Sequence, residues 1–351
     1  MSKKPASPVS RYLKLIPGLL ISAFFLWRTL RGFHLSELRG MHFGHSAWFV
    51  ALLVFIGVDY GLRGWRWWLM LRRYNAKYTA CFRVLLTSLA ANNILPFRIG
   101  DFMRIFAYAP DVNAPSSAVL STVILERLLD VVMLLAFLVA AISGIESRFT
   151  SLSFHGHGIM ATAKLALLGA GLCLCLLLFG TQLLHRVVQT LVARFSGHPR
   201  MAKAAAWSER LFDAVLHISL PVRFLLLLIT AVVWGFEVMV FYSSAQMLSL
   251  DTFRGSFLAG SLSNLSFLLP SAPGGIGPFE ASSKLAMESQ GVSTSAAVLY
   301  ALFTHFLIFV LINIVGGIGF LMRRKERGAL SIPLSADLDM LPDDPDVTEA
   351  N

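Results

Sequence analysis

Apolar residues run in long blocks along this chain, and short clusters of charge separate them. About 20 apolar residues in an α-helix cross the ~30 Å hydrocarbon core of a bilayer. Blocks approaching or exceeding that length cover residues 13–30, 47–71, 164–181, 222–248 and 296–322. A sixth begins at the Pro115-Ser116-Ser117 cap and runs to about Ile142. Its uninterrupted part, residues 131–142, is only about 18 Å long at 1.5 Å per residue. It must therefore recruit residues 118–125 to cross, which sets Glu126, Arg127 and Asp130 near mid-membrane.

Two further apolar runs, 84–95 and 256–269, are too short to cross, and each stops at a Leu-Pro break. The later break, residues 269–280, holds three prolines and three glycines and ends on Glu280. The earlier one, residues 92–104, reads Asn-Asn-Ile-Leu-Pro-Phe-Arg-Ile-Gly-Asp-Phe-Met-Arg. Neither is a continuous helix, because proline removes a backbone donor and clashes with the preceding turn. Broken backbone at membrane depth survives only where protein buries it or where it lines a wet cavity. A pair of such segments in the two halves of a chain points to a substrate site at a repeat interface. Each run resumes as a short helix, 102–108 and 279–289, and so reads as a re-entrant hairpin.

Charge then fixes sides. Basic residues gather at 72–83, 186–210 and 323–327, while the loop 143–162 is lightly charged; the period of residues 185–221 suggests helices lying along the cytoplasmic surface. Cytoplasmic loops carry the Lys and Arg excess. If both hairpins crossed fully, the lightly charged loop and the basic loop after it would share a side across a single span, which is impossible. The expected fold is an all-α polytopic membrane protein with six full spans and two re-entrant helical hairpins in an inverted repeat. A simple hydropathy count would give seven or eight helices. Residues 1–327 form the membrane domain and 328–351 a disordered cytoplasmic tail, with both termini cytoplasmic at the plasma (inner) membrane.

Composition agrees: 56% of the chain is hydrophobic and 14% charged. The net charge of +10 reads as topology and attraction to anionic lipid, not nucleic-acid binding, since six of the acids fall in the last fifteen residues. Cys81, Cys173 and Cys175 have neither metal-ligand nor disulfide spacing and read as packing residues. His155 and His157 lack a third ligand, so neither a metal nor a cofactor is expected. The basic start and the apolar run to Trp27 resemble a signal peptide, yet Trp27-Arg28-Thr29 is no cleavage site, and an uncleaved first span is expected.

Among charges inside the apolar blocks, Asp59 and Arg63 read as an i,i+4 pair, with Arg66, Trp67 and Trp68 as anchors at the interface belt. Each buried charge costs roughly 2.5 to 3.5 kcal/mol on insertion scales, so an unpaired Glu126, Arg127 and Asp130 would cost about 8 to 10. Arg127 and Asp130, three apart, are expected to neutralise each other, and Glu126 to pair with Arg98 or Arg104. Glu237 sits in the middle third of its span, and Glu280, Lys284 and Glu288 share a face of the last short helix.

At these positions the chain resembles the transmembrane region of lysylphosphatidylglycerol synthases and related flippase-like membrane proteins. The matching residues are Asn93 with Leu95-Pro96, Arg98-x-Gly100-Asp101 with Arg104, Glu126-Arg127-x-x-Asp130, and Pro273-Gly274-Gly275-Ile276-Gly277 with Glu280. One departure is Asp101, where the family more often has Glu. Synthases of that kind carry a soluble aminoacyltransferase domain after the bundle, and here a short tail follows. The resemblance therefore implies lipid translocation without lipid synthesis. Backbone amides of the hairpins with Asn92, Asn93, Asn264, Arg98 and Arg104 supply donors for a headgroup phosphate. With no ATP-binding motif, flux is passive or coupled to an ion through Asp101, Glu126, Asp130, Glu237 or Glu280. The expected lipid pathway thus comprises these residues with Arg127, Gly274, Gly275 and Gly277, and no catalytic or metal site. Its partners are membrane lipids and, in an accessory role, an envelope-lipid biosynthetic enzyme. The alternative is a membrane-embedded transferase acting on a lipid carrier, since some relatives in this broad family are associated with lipid-linked sugar transfer.

Overall fold

The structure, a computed structural model, describes residues 16–34, 44–143, 157–193 and 215–330, together with Ser36, residues 153–154 and Phe212. The order is α1 (Ile16–Leu30), α2 (Ala47–Leu71), α3 (Tyr78–Ile94), α4 (Ile99–Phe102), α5 (Ser116–Ile142), α6 (Ile159–Leu178) and α7 (Thr181–Ala193). Then follow α8 (Leu220–Met247), α9 (Phe253–Ser266), α10 (Pro278–Glu288) and α11 (Thr294–Leu330). The described strand content is a two-residue antiparallel pair, Ser153–Phe154 with His157–Gly158, inside what the sequence suggested was plain loop. Among the described residues, four helices are long and apolar enough to cross a membrane: Ala47–Tyr74, Ala161–Leu178, Leu220–Met247 and Thr294–Arg324. α5, at 27 residues, has the length, but Glu126, Arg127 and Asp130 interrupt its apolar composition. Large apolar side chains face outward along these helices; Leu165 and Leu168 of α6 are each 70% exposed. Such a surface suits lipid, not water. The chain is a helical membrane protein.

Both expected breaks are present. α3 ends where Leu95, ahead of Pro96, turns extended (φ −96, ψ 143), as the residue before proline is driven out of the helical region. Arg98 then takes a left-handed conformation (φ 53) before α4, and a π-turn over Met103–Ala107 carries the chain on. In the second half α9 ends at Ser266, and a short 3-10 turn, Pro273–Gly275, precedes α10. Thr252 caps α9 by accepting the Gly255 amide, and Glu280 accepts the Gly277 amide at the start of α10.

Packing repeats this order and interlocks it. α2 and α8 lie antiparallel: Trp48 meets Tyr242, Phe55 meets Phe236, and Arg66 meets Thr230. α3 packs on α11, the long helix of the other half, while α9 packs on α5. Each half thus places its first short arm against the other half's long helix. α3 and α11 approach closely because Gly316 leaves room; a Cβ there would stand 2.5 Å from the Leu86 carbonyl oxygen. α1 closes over the glycine turn, where Ser22 Oγ accepts the Ala272 amide at 2.7 Å.

Three expectations change. Only Cys81 is a packing residue; Cys173 and Cys175 are exposed on the outer face of α6. α11 continues as helix to Leu330, past the boundary at Arg327, and the tail from 331 lies outside the described residues. Of the surface helices expected over residues 185–221, α7 is present, with Leu183 and Val187 exposed along it; residues 194–211 and 213–214 lie outside the described residues.

The glycine turn generates a direct test. Gly277 has φ +99, and a Cβ would fall 2.5 Å from the Ser22 carbonyl oxygen of α1. Gly291 also has a positive φ (+88) but open space around it. Gly291→Ala should cost about 1–2 kcal/mol from backbone strain alone. Gly277→Leu should lower the melting temperature of the detergent-solubilised protein well beyond that, because α1 must move away.

Candidate functional site

A cavity of about 760 Å³ opens between the two broken segments, α2, α5, α8 and α11. It is where the breaks meet: the Gly274 position faces the Asn93 carbonyl oxygen and the Phe309 ring. Of the residues the sequence singled out, Asn92, Asn93, Arg98 and Arg127 line it from the first half with Asp130. Glu237, Asn264, Gly274 and Gly275 line it from the second. Asp101, Arg104, Glu126, Gly277 and Glu280 do not line it, though Asp101 and Glu280 hold the lining residues Arg127 and His305. Pro17, Leu19, Leu268 and Leu269 give it an apolar side.

The charged residues sort into pairs, and not all as expected. Glu126 takes Arg104, one of its two candidate partners, through two bonds of 3.2 and 2.7 Å. The guanidinium of Arg104 lies 3.8 Å from the centre of the Trp67 ring, and Trp67 Nε1 donates to Thr122. Arg98, the other candidate, does not reach Glu126. It is exposed toward the cavity and makes no ion pair among the described residues. Arg127 and Asp130 do not neutralise each other. Arg127 Nη2 donates to both oxygens of Asp101, at 2.9 and 3.1 Å, across to the first broken segment. Asn92 braces that carboxylate: its amide donates to Asp101 Oδ1 at 3.0 Å and its carbonyl accepts the Asp101 amide. The i,i+3 contact is not made because each group has a braced partner on another element: Asp101, held by Asn92, for Arg127, and Arg66 with the Trp234 indole for Asp130.

Asp130 instead receives Arg66 of α2, at 2.7 and 3.2 Å, and the Trp234 indole at 3.2 Å. This overturns the reading of Arg66 as a headgroup anchor. Arg66, Trp67 and Asp59 are each 0% exposed, so that stretch of α2 is core and not interface. The Asp59–Arg63 pair exists, at 2.7 Å, but it too is internal, and Arg63 reaches on to Glu237 at 3.2 Å. Residues 59, 63 and 66 fall on one face of α2, which is the face packed on α5 and α8. Asn264 completes the group, its amide donating to Glu237 Oε1 at 3.3 Å.

At the second break Glu280 does more than cap α10. Its other oxygen meets His305 Nδ1 of α11 at 2.6 Å, while His305 Nε2 faces the Gly274 carbonyl at 3.0 Å. The imidazole stacks on Phe279, with ring centres 4.1 Å apart, and pins the glycine turn to α11. Lys284 of the same helix holds the end of α1 through the Thr29 and Arg31 carbonyls and lies 3.9 Å from Glu288. His305 was missed in the sequence, although a single histidine inside a long apolar block is a signal. No group of three metal-ligating side chains occurs among the described residues, and His155 lies outside them.

A family model for the lysylphosphatidylglycerol synthase TM region matches residues 15–316. The chain belongs to this family. The match spans both broken segments and every ion pair described above. Among curated proteins the chain is similar to one named glycosyltransferase AglD from Haloferax volcanii, with 26% identity over 94% of this chain. The alignment covers 57% of that relative's own length. No solved structure matches. In this lysylphosphatidylglycerol-synthase-type membrane region, then, Arg63, Arg127, Asp130 and Glu237 of the ion pairs put charge on the wall of an otherwise largely apolar cavity between broken helices.

The Arg104–Glu126 pair yields a test. Removing one partner of a buried pair costs ~3–5 kcal/mol, because the survivor is left uncompensated. Glu126→Gln should therefore destabilise the protein by that order. Adding Arg104→Gln should restore part of the loss in thermal unfolding, whereas adding Arg98→Gln should restore none.

Proposed function

We propose that this chain moves a lipid between membrane leaflets, its headgroup passing through the cavity while the acyl chains stay in the bilayer. The observation that carries this reading is the composition of the cavity wall. The first break contributes Arg98, whose guanidinium has no ion-pair partner among the described residues, and Asn93, and the second contributes the Asn264 region and the glycine turn. A phosphate or modified phosphate headgroup finds charge-assisted donors there. The apolar side formed by Leu19, Leu268 and Leu269 suits the tails. The lipid is a phospholipid, an aminoacylated phospholipid or a lipid-linked glycoconjugate. The layout we favour is six spans with α3–α4 and α9–α10 as opposed re-entrant hairpins, both termini in the cytoplasm of an inner membrane. The exchanged packing of α3 on α11 and α9 on α5 supports it.

The relative named as a glycosyltransferase favours a second reading, in which the same cavity presents a lipid carrier for sugar transfer. Fluorescent-headgroup and fluorescent-tail lipids in proteoliposomes separate the two. Translocation predicts protein-dependent loss of inner-leaflet protection for at least one lipid class, with no sugar transferred to an added acceptor. Transfer of sugar from a polyprenyl-linked donor without leaflet exchange would replace the first reading by the second.

Two outcomes follow. Arg98→Ala should slow exchange about tenfold or more, the worth of one hydrogen bond to a charged group, with the melting temperature unchanged. Single cysteines at Ser2 and Ala350 should label from the cytoplasm and one at Ser151 from the opposite side. Labelling of Ser151 and Ala350 from one side would remove the opposed-hairpin layout.

A further inference from the structure

The buried charges that ion pairs join from α2 to α8, to Glu126 and Asp130 of α5 and on to the π-turn do not balance. Counting contacts within 4.0 Å, Arg63 serves both Asp59 and Glu237, Arg66 serves Asp130 and touches Glu126, and Arg104 serves Glu126. Three guanidiniums thus face four carboxylates. The neighbouring Arg127 is already matched by Asp101, and Arg98 sits beside that pair on the opposite wall. The imbalance is local to one corner, where a single guanidinium is shared by two carboxylates. There Asp59 is 0% exposed, and its Oδ1 has no hydrogen-bond partner. A buried ionised oxygen without a partner is costly, and Asp59 Oδ1 is the carboxylate oxygen so placed among the described residues, beside the unpartnered Nε atoms of Arg66, Arg104 and Arg127. Two carboxylates in one site resolve that cost when one of them takes a proton.

We propose that Asp59 and Glu237 together hold one exchangeable proton in mid-membrane, and that its binding and release drive headgroup movement through the adjoining cavity. Glu237 and Arg63 border the cavity and Asp59 does not, so Glu237 is the port and Asp59 the buried store. Binding converts a carboxylate and a hydronium ion of the cavity water into a carboxylic acid and water, and nothing else is consumed. The groups facing the pair are few. α2 itself presents Tyr60, Arg63 and Arg66, and α5 presents Asp130 to the shared Arg63, with Glu126 one guanidinium further on beside Arg66. α9 presents the uncharged Asn264. None of these supplies a second cation to Asp59 or Glu237 within 4.0 Å.

The coupling rests on the translocation reading; the proton site does not. Infrared difference spectra of the reconstituted protein, taken across a pH series, test the site. A protonated carboxylic acid band should titrate in the wild type and disappear in both Asp59→Asn and Glu237→Gln. Its absence, or its survival in both variants, would overturn the site. Stability provides a second readout in case one variant misfolds. Asp59→Asn makes the count three to three and should melt no lower than wild type, whereas Arg63→Gln leaves two against four and should melt far lower. An Asp59→Asn variant as damaged as Arg63→Gln would mean that Asp59 is a charged structural partner. For coupling, exchange of fluorescent phosphatidylglycerol is measured in vesicles with the pH gradient in each direction. One coupled proton sets a limit of about tenfold accumulation per pH unit. The two directions should differ in wild type and converge in Asp59→Asn. Exchange that ignores the gradient would overturn coupling and leave translocation standing. Absence of exchange for every lipid tried would overturn translocation, and coupling with it, while the infrared band still decides the site.

Discussion

A backbone group or a charge that reaches membrane depth without a partner costs several kcal/mol, and the arrangement of this protein follows from that penalty. Two segments break at Leu-Pro inside apolar surroundings, so each needs protein around it. The exchange of arms supplies it: α3 lies on α11, α9 lies on α5, and α1 covers the glycine turn. The backbone freed at the second break is taken up by side chains from three helices, Ser22 of α1, Glu280 of α10 and His305 of α11. What remains between the two breaks, where no side chain fills the space, is the cavity.

The same penalty organises the charges. Glu126, Arg127 and Asp130 rise from α5 on three bearings, and each meets a different element: the π-turn through Arg104, the first break through Asp101, and α2 through Arg66. α5 is therefore the post to which both the first break and the α2–α8 pair are tied. Replacing such pairs with apolar side chains would often be neutral or stabilising. Their arrangement around a cavity fits the proposed role of holding a polar path open, with the exposed Arg98 and the proposed proton site at Glu237 as its two ends.

Much of this was legible in the sequence, because proline, glycine and apolar run length act locally. The ends of α3 and α9, the breaks after them and the long helices α2, α8 and α11 all follow from those signals. Glu126 was correctly seen to need an arginine from the first break, since depth and lack of an intrahelical partner are both readable. Which arginine was not readable: the π-turn over Met103–Ala107 rotates Arg104 inward, while the left-handed Arg98 points to the cavity. The Asp59–Arg63 pair follows from spacing, but Arg66 does not belong at an interface belt, which Trp67 and Trp68 beside it mimic. Only the packing of α3, the π-turn and α5 around Trp67 shows it to be core. Asp130 was assigned to Arg127 by spacing, and a partner 64 residues away has no local signature.

The central claim is that a lipid headgroup occupies the space between the breaks. A photo-crosslinking side chain at Leu268, which lines the cavity yet is 59% exposed, reports on this directly in native membranes. Irradiation followed by mass analysis should recover a covalent adduct of a membrane lipid, at a yield that falls in Arg98→Ala. The same label at Leu165, on the outer face of α6, serves as the bulk-lipid reference. An adduct at Leu268 that matches the Leu165 reference in lipid class and is unchanged by Arg98→Ala would contradict the claim.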